Sequence, residues 1–147
     1  MGTAGIAFRL WTWAALLRVL KHVVPLPTLV RMMHARPSRA APGMTDDIER
    51  YLHTSGRFPR RPPGNCLERS LGVYRLLCQA GASPELLVGM RRLPSHPIEG
   101  HVWVRAAGRP IGETAASLHE FQLTASFDEY GRRTPGSPTG DRDRRSA

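Results

Sequence analysis

The chain has 147 residues, which suits a single domain, and roughly 68–70% of the unfolded surface is buried at this size without disulfide staples. Its two cysteines, Cys66 and Cys78, lie about 18 Å apart in one helical pattern, too far for a disulfide, so we expect reduced thiols and a cytoplasmic setting. The net charge is +9, but the arginines are scattered and not interleaved with aromatic residues, which argues against a nucleic-acid partner.

The first 45 residues carry most of the excess charge, because they contain six basic residues and no Asp or Glu. Apolar residues recur every three or four positions between Leu10 and Val24 and predict an amphipathic helix that Pro25 and Pro27 end. A short second helix is predicted over residues 29–34. The basic residues of this region are Arg9, Arg18, Lys21, Arg31, Arg36 and Arg39.

We assign residues 1–44 to a separate N-terminal basic helical segment. Two of its arginines, Arg9 and Arg18, interrupt the apolar run, which excludes a transmembrane span. The segment is either a core-packing helix with a solvated basic face or a docking surface for a partner protein or a lipid membrane.

Two further helices are predicted in the centre of the chain. The first begins near residue 45 and ends before a rigid loop over residues 59–64. Asn65 caps the second, Glu68 occupies the capping-box position three residues later, and Gly81 ends the helix. Because both sides of this second helix carry apolar stripes, we expect it to lie at the centre of the fold.

Short strands are predicted in the second half of the chain, so the fold class is α+β, with the central helix packed on a small antiparallel sheet. The strand-like segments are residues 86–90, 101–105 and 109–113. Residues 118–127 fit either a strand or a short helix. We predict a folded domain over residues 45–130 and a disordered tail over residues 131–147, which is rich in Arg, Pro, Gly and Ser.

Three residues on these elements suggest nucleophilic chemistry of the papain type. Cys66 opens the central helix, where free N–H groups and the helix dipole stabilise a thiolate and an oxyanion. His101 lies on a strand and would accept the thiol proton, and the carboxylate of Glu113 would orient the imidazole. Glu68 works mildly against the thiolate, because it is a like charge within the same turn.

The contact between His101 and Glu113 depends on the hairpin register. A three-residue loop over 106–108 would place these two residues directly opposite each other. A two-residue loop over 107–108 would instead oppose His101 to Thr114 and send Glu113 to the other face. The sequence leaves both registers open.

Each candidate also has a purely structural interpretation. A lone cysteine at a helix start, or a lone histidine on a strand, is more often a packing residue than a catalytic one. Cys78 lies on an apolar stripe and is interpreted as packing. The histidines lack metal-ligand spacing and no Gly-rich phosphate loop is present, so we expect neither a metal nor another cofactor.

Several short blocks resemble the transglutaminase-like protease half of the lasso-peptide B protein. They are CLERSL at 66–71, YRLL at 74–77, Gly81, VGMR at 88–91, HVWV at 101–104 and GRP at 108–110. The resemblance runs from about residue 45 to 125. It implies a papain/transglutaminase-like fold and a bacterial cysteine peptidase that removes the leader peptide from a lasso-peptide precursor before a macrolactam cyclase closes the ring.

The resemblance implies Cys66 as the nucleophile, His101 as the base and Glu113 as the third member of a triad. The family often has Asp at the third position and Ala after the histidine, where this chain has Glu113 and Val102. Asp128 is an alternative acid. Leader recognition is expected to come from a separate protein, with salt-sensitive docking of that protein, or of an acidic leader, to the N-terminal helices. A catalytically idle peptide-binding protein and an acyltransferase on the same fold are the alternative functions.

Overall fold

The computed structural model of the protein describes residues 3–37, 43–55, 65–94 and 98–135. Over these ranges the chain forms five helices and five strands. The helices are α1 (Thr3–Leu20), α2 (Leu26–Met33), α3 (Met44–Ser55), α4 (Cys66–Gln79) and α5 (Ala115–Leu118). The strands are β1 (Glu85–Arg91), β2 (Glu99–Ala106), β3 (Arg109–Pro110), β4 (Gln122–Phe127) and β5 (Arg133–Thr134). The predicted loop over residues 59–64 and residues 136–147 of the predicted tail lie outside the described ranges.

The strands form one antiparallel sheet in the order β3-β2-β1-β4-β5, which confirms the predicted α+β class. The central strand β1 pairs with β2 so that Gly89 lies opposite His101. On its other side β1 pairs with β4, and the register shifts between Val88 and Gly89. The open choice over residues 118–127 is resolved in favour of the strand, because β4 covers Gln122–Phe127 and the short helix α5 already ends at Leu118.

Helix α4 lies at the centre of the fold, as its apolar stripes predict. The side chain of Asn65 accepts a hydrogen bond from the backbone of Glu68, and the Glu68 side chain accepts one from the backbone of Asn65, so the predicted capping box is present. Leu71 and Leu77 are completely buried. Gly81 follows the helix with φ +76°, a left-handed conformation that glycine adopts without strain.

The N-terminal helices share the core of α4. Leu10 and Leu17 of α1 are buried in the same hydrophobic cluster as residues of α4 and the sheet. Helix α2 begins earlier than predicted, because Pro25 caps it and Pro27 lies in its first turn, where the missing N–H of proline costs no intrahelical hydrogen bond. No described helix has the combination of length and apolar character that crossing a membrane requires.

The sheet continues into the segment that the sequence assigns to the tail. Residues 133–134 pair with β4, and Gly131 is buried with φ +72°. A Cβ atom on Gly131 would lie 2.7 Å from the backbone of Arg31 in α2, so only glycine allows this approach. The prediction of disorder from residue 131 onward was therefore wrong for residues 131–134, because backbone pairing and a close glycine contact outweigh the polar composition.

Candidate active site

Cys66 is the first residue of α4 and is partly buried. The side-chain oxygen of Asn65 accepts a hydrogen bond from the N–H of Glu68 at 3.1 Å. The backbone carbonyl of Asn65 accepts one from the N–H of Arg69, also at 3.1 Å. The N–H groups of Cys66 and Leu67 precede these and belong to the first turn, whose donors have no intrahelical acceptor. The helix start therefore offers N–H groups and a positive dipole end beside the thiol, as predicted.

Glu68, the acid expected to oppose a thiolate, is buried and paired. Its Oε1 lies 2.6 Å from Nζ of Lys21, which follows α1, while its Oε2 completes the capping box. The ammonium offsets the carboxylate charge near Cys66 and anchors α1 to the start of α4. Lys21 is thus not an exposed charge, although the sequence interpretation grouped it with the charges available for docking.

His101 and Glu113 are brought together, but not by the three-residue loop that would place them directly opposite each other. The register pairs Arg105 with Pro110 and Ala106 with Arg109, so the loop has two residues. Ala107 and Gly108 both have positive φ (49° and 76°), the backbone of a tight two-residue hairpin turn. Of the two registers that the sequence leaves open, the chain thus adopts the two-residue loop, the one expected to send Glu113 to the other face.

A further left-handed residue, Gly112, restores the contact. Strand β3 ends at Pro110, and after Ile111 the chain turns at Gly112, which has φ +72° and packs against Leu52. Glu113 consequently leaves the strand alternation, and its Oε1 lies 3.3 Å from Nε2 of His101. A carboxylate on Nε2 holds the neutral imidazole in the tautomer whose Nδ1 is free to accept a proton.

Arg69 is a neighbour of this pair that the sequence interpretation missed. Its Nη2 lies 3.3 Å from the same Oε1 of Glu113 that faces His101. The guanidinium holds the Glu113 carboxylate from the side of α4. The same carboxylate oxygen therefore interacts with both Arg69 and the imidazole of His101. Its signal in the sequence was its position three residues after Cys66, on the first turn of the helix.

The same part of α4 is fastened to β2. The hydroxyl of Ser70 donates to the carbonyl of Val102 at 2.8 Å, and both groups are buried. Ser70 lies one helical turn after Cys66, and Val102 directly follows His101. The first turn of α4 thus lies against the stretch of β2 that carries the histidine, although among the described residues no hydrogen bond joins Cys66 Sγ to His101.

Comparison with known protein families identifies the superfamily of this chain. A family model for the transglutaminase-like superfamily matches residues 11–126. The chain belongs to the transglutaminase-like superfamily. This superfamily includes cysteine proteases, and its fold commonly carries either protease or acyltransferase activity. Comparison with curated proteins and with solved structures gives no match. The family match starts inside α1, so it includes most of the N-terminal helices together with the sheet.

Aromatic side chains cover His101 in this transglutaminase-like domain. The ring of Trp103 stacks on the imidazole at 6.0 Å between centroids, and the ring of Phe121 lies at 5.1 Å. Gly89 makes room for them, since a Cβ atom there would lie 2.8 Å from Trp103 and 3.1 Å from Phe121. Arg91 extends the wall, with its guanidinium 4.7 Å from the Phe121 ring. The alternation of β2 predicts that Trp103 shares the face of His101, but nothing local in the sequence points to Phe121.

Cys78 has the opposite environment within the transglutaminase-like domain. Its side chain is 4% exposed, and its Sγ lies 3.7 Å from the carbonyl oxygen of Glu129. Burial raises the pKa of the Cys78 thiol above its ordinary value, which keeps the thiol protonated. The prediction that Cys78 is a packing residue is confirmed by its burial in the core.

Asp128, the alternative acid, lies away from His101. It follows β4 at the end of the sheet where Phe127 pairs with Leu86, whereas His101 pairs with Gly89 farther along β1. Its carboxylate accepts hydrogen bonds from the backbone of Tyr130 and from Arg132. Burial opposes ionisation, but these hydrogen bonds outweigh it and lower the pKa of Asp128. In the described part of the chain no three His, Cys, Asp or Glu side chains are grouped to hold a metal ion.

Proposed function

We propose that this protein is a cysteine peptidase that removes the leader from a lasso-peptide precursor. The observation that carries the proposal is the contact of His101 Nε2 with Glu113 at 3.3 Å, directly against the helix turn that begins with Cys66. The sequence blocks that resemble the lasso-peptide B protein supply the substrate class. The superfamily, which includes cysteine proteases, is consistent with this chemistry.

In the proposed mechanism Cys66 attacks the scissile carbonyl. Nδ1 of His101 accepts the thiol proton, while Glu113 at Nε2 keeps the ring oriented and stabilises the imidazolium that forms. The tetrahedral oxyanion is stabilised by N–H groups of the first turn of α4, where one such donor contributes about 10²–10³ in rate in related chemistry. The imidazolium then protonates the leaving amine, and water hydrolyses the thioester to release the leader fragment.

We further propose that the peptidase works with two partners in the cytoplasm. A separate leader-recognition protein would hold the precursor, and a macrolactam cyclase would use the freed amine. The free thiols of Cys66 and Cys78 suit a reducing compartment. No cofactor is required by this mechanism, because the thiolate, the imidazole and the backbone donors supply every step.

The test is cleavage of a lasso-peptide precursor followed by mass spectrometry. We expect the chain with a leader-recognition protein to release an intact leader fragment, and the chain alone to do so more slowly. A thioester between the leader and Cys66 should accumulate when the reaction is quenched early. Absence of any leader fragment, with Cys66 still reactive toward iodoacetamide, would contradict the peptidase proposal.

An acyltransferase is the second candidate, favoured by the wall of Trp103 and Phe121 over His101. Apolar cover limits the access of water to a thioester and favours attack by a bound amine. Adding hydroxylamine to the precursor assay separates the two functions. A peptidase keeps the free carboxylate as its main product, whereas an acyltransferase yields mainly the hydroxamate. A catalytically idle peptide-binding protein would form neither product nor thioester.

A further inference from the structure

Helix α1 has two apolar faces, and the rest of the protein buries only one of them. Its inward face packs into the core through Ile6, Leu10, Ala14 and Leu17. The outward face, continued into the following turn, carries five large apolar side chains that are between 46 and 74% exposed. They are Phe8, Trp11, Leu16, Val19 and Val23. Thr12 lies among them with its hydroxyl bonded to the carbonyl of Phe8 at 2.9 Å, so the face is predominantly apolar, and such a face marks an interaction surface.

Arginines border this outward face on both sides. With about 100° between successive residues, Phe8 and Val19 lie near the middle of the face, and Arg9 and Arg18 lie about 90° to either side. Arg9 donates to the neutral Gln79 at 3.1 Å, and neither arginine has a carboxylate partner among the described residues. Residues 3–37 contain no Asp or Glu, so every charged side chain of α1 itself is a cation.

The pattern selects one occupant among several. A second copy of the chain would bring the same unpaired arginines toward each other, which like-charge repulsion disfavours. A protein partner usually presents charges of both signs at the rim, and this face offers only cations. A bilayer with anionic lipids accepts an apolar stripe at its interface and attracts cations that flank the stripe. Phe and Trp on the apolar face are typical of such interfacial helices.

We infer that the outward face of α1 binds the surface of a membrane that contains anionic lipids. The helix lies parallel to the bilayer plane, because its opposite face is fixed in the protein core. Lys21 connects this surface to the candidate active site, since its ion pair with Glu68 holds the end of α1 against the start of α4. The inference does not depend on which substrate the site cleaves.

The test is partitioning of the full chain into vesicles of phosphatidylcholine with and without phosphatidylglycerol. We expect binding to the anionic vesicles, weaker binding to the neutral ones, and loss of the difference at high salt. The double substitution Arg9→Gln and Arg18→Gln should lower anionic partitioning about 25-fold, from about fivefold per arginine. Phe8→Ser with Val19→Ser should lower it by about a hundredfold.

Matched controls lie elsewhere on the surface. Ile98 is 60% exposed, and Arg133 is an exposed cation on β5, so Ile98→Ser and Arg133→Gln should leave partitioning unchanged. Trp11 supplies a spectroscopic reading, because its emission should shift to shorter wavelength on anionic vesicles and Trp11→Phe should remove that shift. Unchanged circular dichroism of each variant excludes loss of folding.

Four results would overturn the inference. Equal partitioning into neutral and anionic vesicles would exclude a role for the arginines. No partitioning into either kind of vesicle would exclude membrane binding. A concentration-dependent dimer that Phe8→Ser with Val19→Ser abolishes would assign the face to a second copy. A complex with a leader-recognition protein that competes with vesicles and needs the same side chains would assign it to that protein.

Discussion

Helix α4 carries a cysteine at each end, and the two ends have opposite environments. At the start, Cys66 is partly buried among open N–H groups, a paired carboxylate and the turn that faces His101. At the other end, Cys78 is buried, and burial raises the pKa of its thiol. We call the Cys66 end of α4 the open end and the Cys78 end the closed end. Because both residues belong to one helix of one protein, the difference leads us to propose that position along the helix decides which of the two thiols acts as a nucleophile.

Replacing each thiol in turn gives the largest expected contrast between the two ends. Cys66→Ala should lower the rate of precursor cleavage by about 10⁴-fold or more, because no other group can form the thioester. Cys78→Ala should retain cleavage and lower the free energy of unfolding by about 1 kcal/mol through the lost packing. The measurements are single-turnover cleavage and denaturant unfolding. Full activity of Cys66→Ala would assign the chemistry to another residue.

Changing the acid that faces His101 tests whether the open end is organised for catalysis. Glu113→Gln should lower turnover by about 10²–10⁴-fold, since a neutral amide cannot stabilise the imidazolium and allows the wrong tautomer. Glu113→Asp should keep more activity than Glu113→Gln, because it retains the charge. The pH dependence of cleavage should change in Glu113→Gln, which a purely structural role would not produce. Cleavage by Glu113→Gln at the wild-type rate would exclude Glu113 from the site.

Removing the cation that supports the open end should have a smaller effect. Lys21→Gln leaves Glu68 buried without its charge partner, so we expect a loss of about 1–3 kcal/mol in the free energy of unfolding, together with slower labelling of Cys66 by iodoacetamide. Arg18→Gln is the matched control, because Arg18 is an exposed cation in the last turn of α1, three residues before Lys21, and it should change stability by less than about 0.5 kcal/mol. Equal stability of the two variants would argue against a supporting role for Lys21.

Alkaline pH should report on the closed end. Burial raises the pKa of Cys78 and also of Tyr74, whose hydroxyl donates to the carbonyl of Asp128 at 2.6 Å. Both groups have ordinary pKa values in the unfolded chain, so the unfolded state loses their protons first as the pH rises. The free energy of unfolding therefore falls above a pH of about 9. Denaturant unfolding across this range should show a shallower fall for Cys78→Ala and for Tyr74→Phe than for the wild type.

Local sequence signals predicted the open end of α4 well. The Asn65 cap, the Glu68 box and the place of Cys66 follow from patterns within four residues, and each is present. The nearness of His101 to Glu113 was predicted only as one of two alternatives, and it arises by a route that neither alternative describes. The loop has two residues, and the contact depends on the left-handed turn at Gly112, a backbone conformation that hairpin rules do not predict.

Contacts between distant parts of the chain were not predictable in the same way. The ion pair of Lys21 with Glu68 joins residues that are 47 positions apart, and Arg69 reaches Glu113 across 44 positions. Composition marked Lys21 as one of several surface cations, because nothing in its neighbourhood reveals the buried carboxylate it meets. Phe121 was missed similarly, since its approach to His101 depends on the bare backbone of Gly89.

The separation of Lys21 and Glu68 along the chain also sets a delay during synthesis on the ribosome, because their ion pair cannot form until both residues have been made. At about 5–20 residues per second, the 47 positions between them take roughly 2–10 s to synthesise. During that interval α1 has been synthesised without α4, the helix that covers much of its inward face. Nascent chains that end before residue 65 should therefore aggregate or recruit a chaperone, whereas chains that extend past β2 should remain in solution.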